Sequence, residues 1–293
     1  MFLRLCCAEL LGFKPPGMTA PMHDVPVRGS IYISARSPAN RKVKAGQVRL
    51  LTADHQFGRL GAMPRSARVA PGGMVFHVLN RGVGRMRLFD KEGDYEAFER
   101  IVEETQETRP MRICAYCLMP NHWHFVLWPE HDGDLAAFMQ RLSITHVRRW
   151  QEHRGQVGLG HLYQGRYKSF PVETDEYFYH VTRYVERNAL RAGLVASAEQ
   201  WRWSSLWRRI HGSREQVACL SRWPLPQPRN WESLVNQPQS EGEIEAIRRC
   251  IRRGQPYGCQ TWVERTASQL GLESTLRAPH RPRRNPRSVT DQT

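Results

Sequence analysis

The chain reads as an α+β protein whose centre is a ferredoxin-like β-α-β-β-α-β antiparallel sheet, followed by one further helix and a small helical extension. Three observations predict this. Short runs of strand character recur near residues 74, 112, 122 and 167. Two segments of helical spacing separate them in the order that arrangement requires. Met119-Pro120-Asn121 supplies a tight turn between the middle two runs, which then pair as a hairpin.

Each element has a local reason. Met74 to Leu79 is the first strand, ended by Asn80-Arg81-Gly82. A helix from about Lys91 to Thr108 places Tyr95, Phe98, Ile101 and Val102 on one face. Arg112 to Leu118 and His122 to Trp128 form the hairpin, and Pro129 stops it. Leu135, Phe138, Met139, Leu142 and Val147 mark a second helix, with Arg141, Arg148, Arg149 and Arg154 on or near its exposed side. A Gly-rich loop leads to a fourth strand, Tyr167 to Val172. Thr174, with Asp175 and Glu176 in the first turn, caps a helix that runs to about Arg191 and is stopped by Gly193. Two helices on one face of such a sheet leave the other face free to carry a site.

Outside this unit the organisation is looser. Residues 1–62 lack periodicity, are punctuated by Pro15-Pro16-Gly17, Pro21 and Pro26, and read as a disordered basic arm, with Met63 as a candidate translation start. The opening Met1 to Glu9 resembles a signal peptide only weakly, because Glu9 interrupts its apolar part. The patterned unit spans residues 63–210. Within 201–238, Trp201, Trp203, Trp207 and several prolines read as a strap packed on the domain. An extension over 211–276 carries two short helices, one patterned by Ile244, Ile247 and Ile251 and one by Trp262, Val263, Ala267 and Leu270. They read as a helical hairpin, with a helix-turn-helix as the competing interpretation. Residues 277–293 form a disordered basic tail.

Charge narrows the partner. Lys plus Arg number 43 against 28 Asp plus Glu, a net of +15, which favours a polyanion, with nucleic acid ahead of an anionic membrane surface. No apolar run reaches about 18 residues, so no membrane span is expected. Seven cysteines without scaffold spacing indicate a reducing, cytoplasmic setting. Cys114 and Cys117 have the spacing of a zinc or redox pair, but three positions apart in a strand they should face opposite ways, which favours packing.

The candidate chemistry lies on the third strand and on the helix after the fourth. His122 and His124 alternate onto one face, roughly 6.5 to 7 Å apart along the backbone, a spacing that lets two imidazoles share one metal ion. The competing interpretation is one buried and one exposed histidine with no shared role. His180, Tyr184 and Asn188 recur every four residues and should form a polar ridge, in which Asn188 could offer an amide oxygen as a third ligand.

Pro120-Asn121-His122-Trp123-His124, Tyr163 to Ser169, and Arg183 to Val195 together resemble the HUH-type single-tyrosine transposases, specifically the REP-associated tyrosine transposase branch. The similarity covers roughly residues 63–210, and Arg253 to Leu276 also looks like that branch. It implies a single-stranded DNA nuclease and strand transferase that acts at hairpin or repeat sequences, uses a divalent ion (Mg2+ or Mn2+) and forms a 5′-phosphotyrosine intermediate. Carried over residue by residue, Tyr184 is the nucleophile, His122 and His124 hold the metal, and Asn188 is the third ligand. Many members have proline after that asparagine, where this chain has Ala189, a change that touches backbone shape rather than chemistry.

A phenol with its usual pKa near 10 needs help to attack, and Lys168, His180, Arg183 and Arg187 are candidate neighbours. Arg81, Arg85, Arg87, Arg166, Lys168 and Arg187 are expected to meet DNA, with Tyr163 and Tyr167 as stacking surface. The competing interpretations are a solvated basic rim, a catalytically silent DNA-binding protein recognising hairpin repeats, and a zinc hydrolase. The last lacks the usual nearby carboxylate, since Phe125 and Val126 follow His124. Whether the site is completed within one chain or between two chains of a homodimer stays open at this level.

Overall fold

A computed structural model describes residues 69–277; the expected N-terminal arm, the Met63 start and the tail beyond Arg277 lie outside the described residues. The core elements are β1 (Val75–Arg81), α1 (Glu92–Thr108), β2 (Arg112–Met119), β3 (His122–Trp128), α2 (Asp134–His153), β4 (Lys168–Val172), α3 (Glu176–Glu186) and α4 (Asn188–Arg191). They are followed by α5 (Ser205–His211), α6 (Arg214–Ala218), α7 (Trp231–Asn236), α8 (Glu241–Arg253), α9 (Gln260–Leu270) and α10 (Glu273–Leu276). The strands form one antiparallel sheet in the order β2-β3-β1-β4, which is the ferredoxin-like arrangement.

Alternation along the strands creates two cores. On one face Phe76, Val78, Ile113, Trp123, Phe125 and Leu127 pack against the apolar stripes of α1 and α2. On the other, Val75, Cys114, Cys117, Val126, Phe170 and Val172 pack against Phe178, Val181, Tyr184 and Val185 of α3 and Ile244, Ile247 and Cys250 of α8. The second face is therefore not open. It is roofed by α3 and α8, and the space they leave is where the site lies. α8 lays its apolar face into this core, so that face is not free to meet a partner. α5 crosses the expected division at residue 210.

Both sheet edges are covered, which removes unpaired strand groups that would otherwise invite aggregation. Along β2 the tryptophan strap binds the backbone: Leu118 N–H donates to Trp203 O at 2.8 Å, Ser221 N–H to Ile113 O at 2.9 Å, and Trp223 Nε1–H to Cys114 O at 2.7 Å. Trp203 stacks on Tyr95 with ring centroids 4.7 Å apart. Along β4, Tyr257 N–H donates to Pro171 O and Glu173 N–H to Tyr257 O, each at 2.9 Å.

Two local expectations are corrected. A bulge between Ile113 and Ala115 breaks the alternation of β2, so Cys114 and Cys117 share one core instead of facing opposite ways. Both are free thiols, and burial pushes each up to about 12, so packing is their role. The helix cap is Asp175, whose carboxylate accepts from Tyr177 N–H at 2.9 Å, and the helix is divided at Arg187 into α3 and α4. Among the described residues, no helix is long and apolar enough to cross a membrane.

Candidate active site

The hairpin turn sets the first side chain. Pro120 O accepts from Leu88 N–H at 2.7 Å and Phe89 N–H at 3.1 Å, and Asn121 O accepts from Gly82 N–H at 3.0 Å, so the loop after β1 clamps the turn. Gly82 is required there, because a Cβ would sit 2.5 Å from Met86 O. The clamp fixes His122 opposite Arg81 and His124 opposite Leu79 in the β1–β3 register. Their rings lie 5.0 Å apart on one face.

Second partners orient both rings. Asn121 Oδ1 lies 2.6 Å from His122 Nδ1; an amide oxygen only accepts, so Nδ1 carries the proton and Nε2 keeps its lone pair. His77 Nε2 lies 2.9 Å from His124 Nδ1. If Nδ1 of His124 donates there, its Nε2 is likewise left with a lone pair. Burial, reinforced by Arg81 and Arg191, lowers His122 to about 3. Burial first, then His122 and His77, hold His124 well below the usual histidine range. Both rings are neutral at pH 7, the state a metal ligand requires.

α3 and α4 deliver the remaining groups. Tyr184, in the same chain, presents its ring 6.0 Å from that of His124 and 6.4 Å from that of His77, edge-on in each case. Arg191 lies over the Tyr184 ring at 4.0 Å and donates from Nη1 to Tyr184 O at 3.3 Å. Asn188 is buried, and its Nδ2 has no hydrogen-bond partner. Together with Leu79, Arg81, Arg248 and Arg252, these residues line a cleft of about 400 Å³ that holds His122, His124, Tyr184 and Asn188 and no carboxylate.

The residues fit a divalent ion. Two neutral imidazoles, with the Nε2 lone pair of His122 fixed by Asn121, and the Asn188 amide, whose oxygen is an acceptor, converge on one cleft. Among the described residues, no group of three His, Cys, Asp or Glu side chains could hold a metal, and Asn188 is the amide that lines the cleft beside the two histidines. That composition also leaves a zinc hydrolase site without its customary carboxylate.

Other expected residues are placed elsewhere. His180 belongs with Glu243, 3.5 Å away, in a different pocket, so the ridge keeps only Tyr184 and Asn188 at the cleft. Arg183 donates to Gln237 O and Pro238 O, and Arg187 to Val235 O and Asn236 O, so both guanidiniums tie α3 and its end to the chain around α7. Arg85 is exposed on the turn after β1 with φ 64°, and Arg87 pairs with Asp90 at 3.1 Å. Arg166 and Lys168 line a neighbouring groove. Tyr163 is a core residue, not a stacking platform: its hydroxyl lies 2.5 Å from His146 Nδ1 and accepts from Trp123 Nε1 at 3.0 Å. Sequence reasoning missed His77, Arg191, Arg248 and Arg252. His77 was detectable in principle, since it alternates onto the face of His124; the α8 arginines depend on tertiary packing.

Residues 72–188 match the family described as Transposase IS200 like, a span that contains the sheet, both histidines, Tyr184 and Asn188. Over this span the chain is similar to the IS200-like transposases. A REP-associated tyrosine transposase of Escherichia coli (strain K12) is 24% identical over 145 residues, covering 47% of this chain and 79% of that relative. A solved REP-associated tyrosine transposase bound to a REP hairpin is similar over 60% of this chain and 98% of its own, at 17% identity and TM-score 0.42. A putative transposase from Deinococcus radiodurans R1 is similar over 42% of this chain and 95% of its own, at 19% identity and TM-score 0.30. The family match ends at Asn188, and α5 to α10 lie beyond it.

Proposed function

We propose that this protein is a single-stranded DNA nuclease and strand transferase that acts at hairpin or repeat sequences through a covalent tyrosine adduct. The supporting observation is the convergence of Tyr184, His122, His124 and Asn188 on one carboxylate-free cleft lined by arginines. The phenolic oxygen of Tyr184 attacks phosphorus, the P–O3′ bond breaks, the 3′-hydroxyl leaves, and the proton given up by the phenol is balanced by the one the leaving oxygen takes. The enzyme then holds a 5′-phosphotyrosine. Because one phosphodiester has replaced another, the 3′-hydroxyl of a second strand can attack the adduct and reseal without ATP.

Arg81 and Arg191 hold the phosphate and offset the charge that grows on it during attack. Arg191 also fixes the Tyr184 ring through its position over the face. His122, His124 and Asn188 would hold a divalent ion, Mg2+ or Mn2+. When bound, that ion supplies Lewis-acid polarisation of the scissile phosphoryl group. All these groups come from one chain, so this reading needs no partner subunit to deliver the tyrosine.

The test is incubation of the full chain with hairpin-bearing single strands and Mn2+, followed by denaturing electrophoresis. A slow, denaturant-resistant band is expected with the native protein and none with Tyr184→Phe. Binding without any such band across the panel would replace the proposal with a silent hairpin-binding protein.

A further inference from the structure

Arg248 and Arg252 of α8 lie outside the family match, yet they line the cleft. Arg248 and Arg252 stand one helical turn apart, about 6 Å along the axis. Ile251 and Arg252 also line a second groove of about 500 Å³, beside β4, together with Arg166, Lys168, Ser169 and Arg253. The two spaces therefore share a wall and meet around the C-terminal end of α8. Every charged side chain lining either one is a cation.

We propose that the cleft and this groove form one channel, and that a single-stranded segment flanking the scissile phosphate runs along it, held through its phosphates. This rests on the nuclease reading above and extends it to a surface that α8 completes from outside the family match. The channel is built before DNA arrives. The connection after α8 is pinned to β4 through Tyr257, and Cys259 N–H donates to Glu173 Oε2 at 2.7 Å. Gly254, with φ 73°, caps α8 directly against this edge, 3.7 Å from Ser169 O to its hypothetical Cβ.

The cations differ in what they can offer. Arg252 pairs with Glu245, but both side chains are more than half exposed, so the pair is weak and readily exchanged for a phosphate. Arg253 is held by Thr275 O and Arg277 O and contributes charge rather than a mobile contact. Arg166 and Lys168 are exposed. No aromatic platform other than Phe76 lines the groove, so binding there should be electrostatic and indifferent to base sequence.

The experiment measures binding of the full chain to one hairpin carrying single-stranded flanks of either polarity, lengthened from none to about 12 nucleotides, the upper range of a single-strand groove. The native protein should bind more tightly as one flank is lengthened, with a steeper dependence on salt. In Arg248→Ala/Arg252→Ala that slope should fall by about 1.4, from two lost phosphate contacts, and the gain from the flank should shrink. Arg248→Lys/Arg252→Lys should retain both, which separates charge from packing. An unchanged slope in the alanine pair, or no gain from either flank in the native protein, overturns the channel while the covalent adduct of the native protein still stands. Flank-dependent binding without any adduct supports the channel and removes the nuclease reading instead.

Discussion

His77 has no place in a two-histidine motif, yet it decides what His124 can do. It is fully buried, packs tilted against Phe170 at a 4.8 Å centroid distance, and its Nδ1 has no partner. Two neutral imidazoles sharing one hydrogen bond have two arrangements. If His77 donates, His124 carries its proton on Nε2 and cannot ligate; if His124 donates, its Nε2 is free and His77 bears a buried, unpaired Nδ1–H. An ion selects the second arrangement, and supporting groups of this kind commonly change metal affinity by about 10- to 100-fold. His77→Phe, which keeps the ring packed on Phe170, should therefore weaken Mn2+ binding by about that factor in calorimetry, with little change in melting temperature. Equal affinity in the two proteins would remove His77 from the site. The pair His122 and His124 was readable in the sequence because strand alternation is local. The identity of the cations facing Tyr184 was not, because Arg183 and Arg187, its neighbours in sequence, point to carbonyls around α7.

At the scale of elements, the β2 edge shows how a strap stabilises a sheet that carries a site. Arg208 of α5 is 3% exposed and contacts Glu99 at 3.0 Å and Glu103 at 3.1 Å, while Glu99 also accepts from Tyr116 O–H at 2.7 Å. Removing one partner of such a buried pair leaves the other uncompensated. Arg208→Ala should lose about 3–5 kcal/mol in a denaturant titration, and a loss near zero would show the strap to be ornamental. Nearby, Glu186 accepts from Ser205 Oγ at 2.5 Å and Trp231 Nε1 at 2.7 Å, which anchors the end of α3, two residues past Tyr184. The strap was readable from its tryptophans, and the four strands from their alternation. The bulge at Cys114 was not, because nothing in a run of small and apolar residues marks an extra residue, and its effect was to reverse the facing of one cysteine.

For the whole molecule, buried histidines and the cleft arginines set the response to pH and to ligands. Burial lowers His77 and His146 to about 3. In the unfolded chain each takes up a proton near 6.5, so between these values the unfolded state binds more protons. Stability should be complete above about pH 6.5 and fall on acidification towards pH 3, by about 1.4 kcal/mol per pH unit per histidine. Thermal melts from pH 7.5 to pH 4 check this, and a melting temperature flat across that window would contradict it. On the sheet face away from the cleft, cations of α2 and its C-cap are already neutralised: Arg149 meets Glu104 at 2.7 Å and Arg154 meets Asp94 at 2.9 Å. The cleft's own arginines face no carboxylate lining it, so a bare divalent ion is repelled and an accompanying phosphodiester relieves that. Mn2+ affinity should rise about 5- to 150-fold with an uncleavable oligonucleotide present; calorimetry showing independent binding would contradict this.

The chemistry itself is tested most directly by mapping the adduct. The full chain is incubated with a hairpin-bearing single strand and Mn2+, digested, and the peptide containing Tyr184 is weighed by mass spectrometry. The expected mass is that peptide plus the 5′-phosphoryl end of the cleaved strand, joined at Tyr184 and lost in Tyr184→Phe. An adduct on any other residue, or cleavage that leaves Tyr184 unmodified throughout, would contradict a phenolic nucleophile in this cleft.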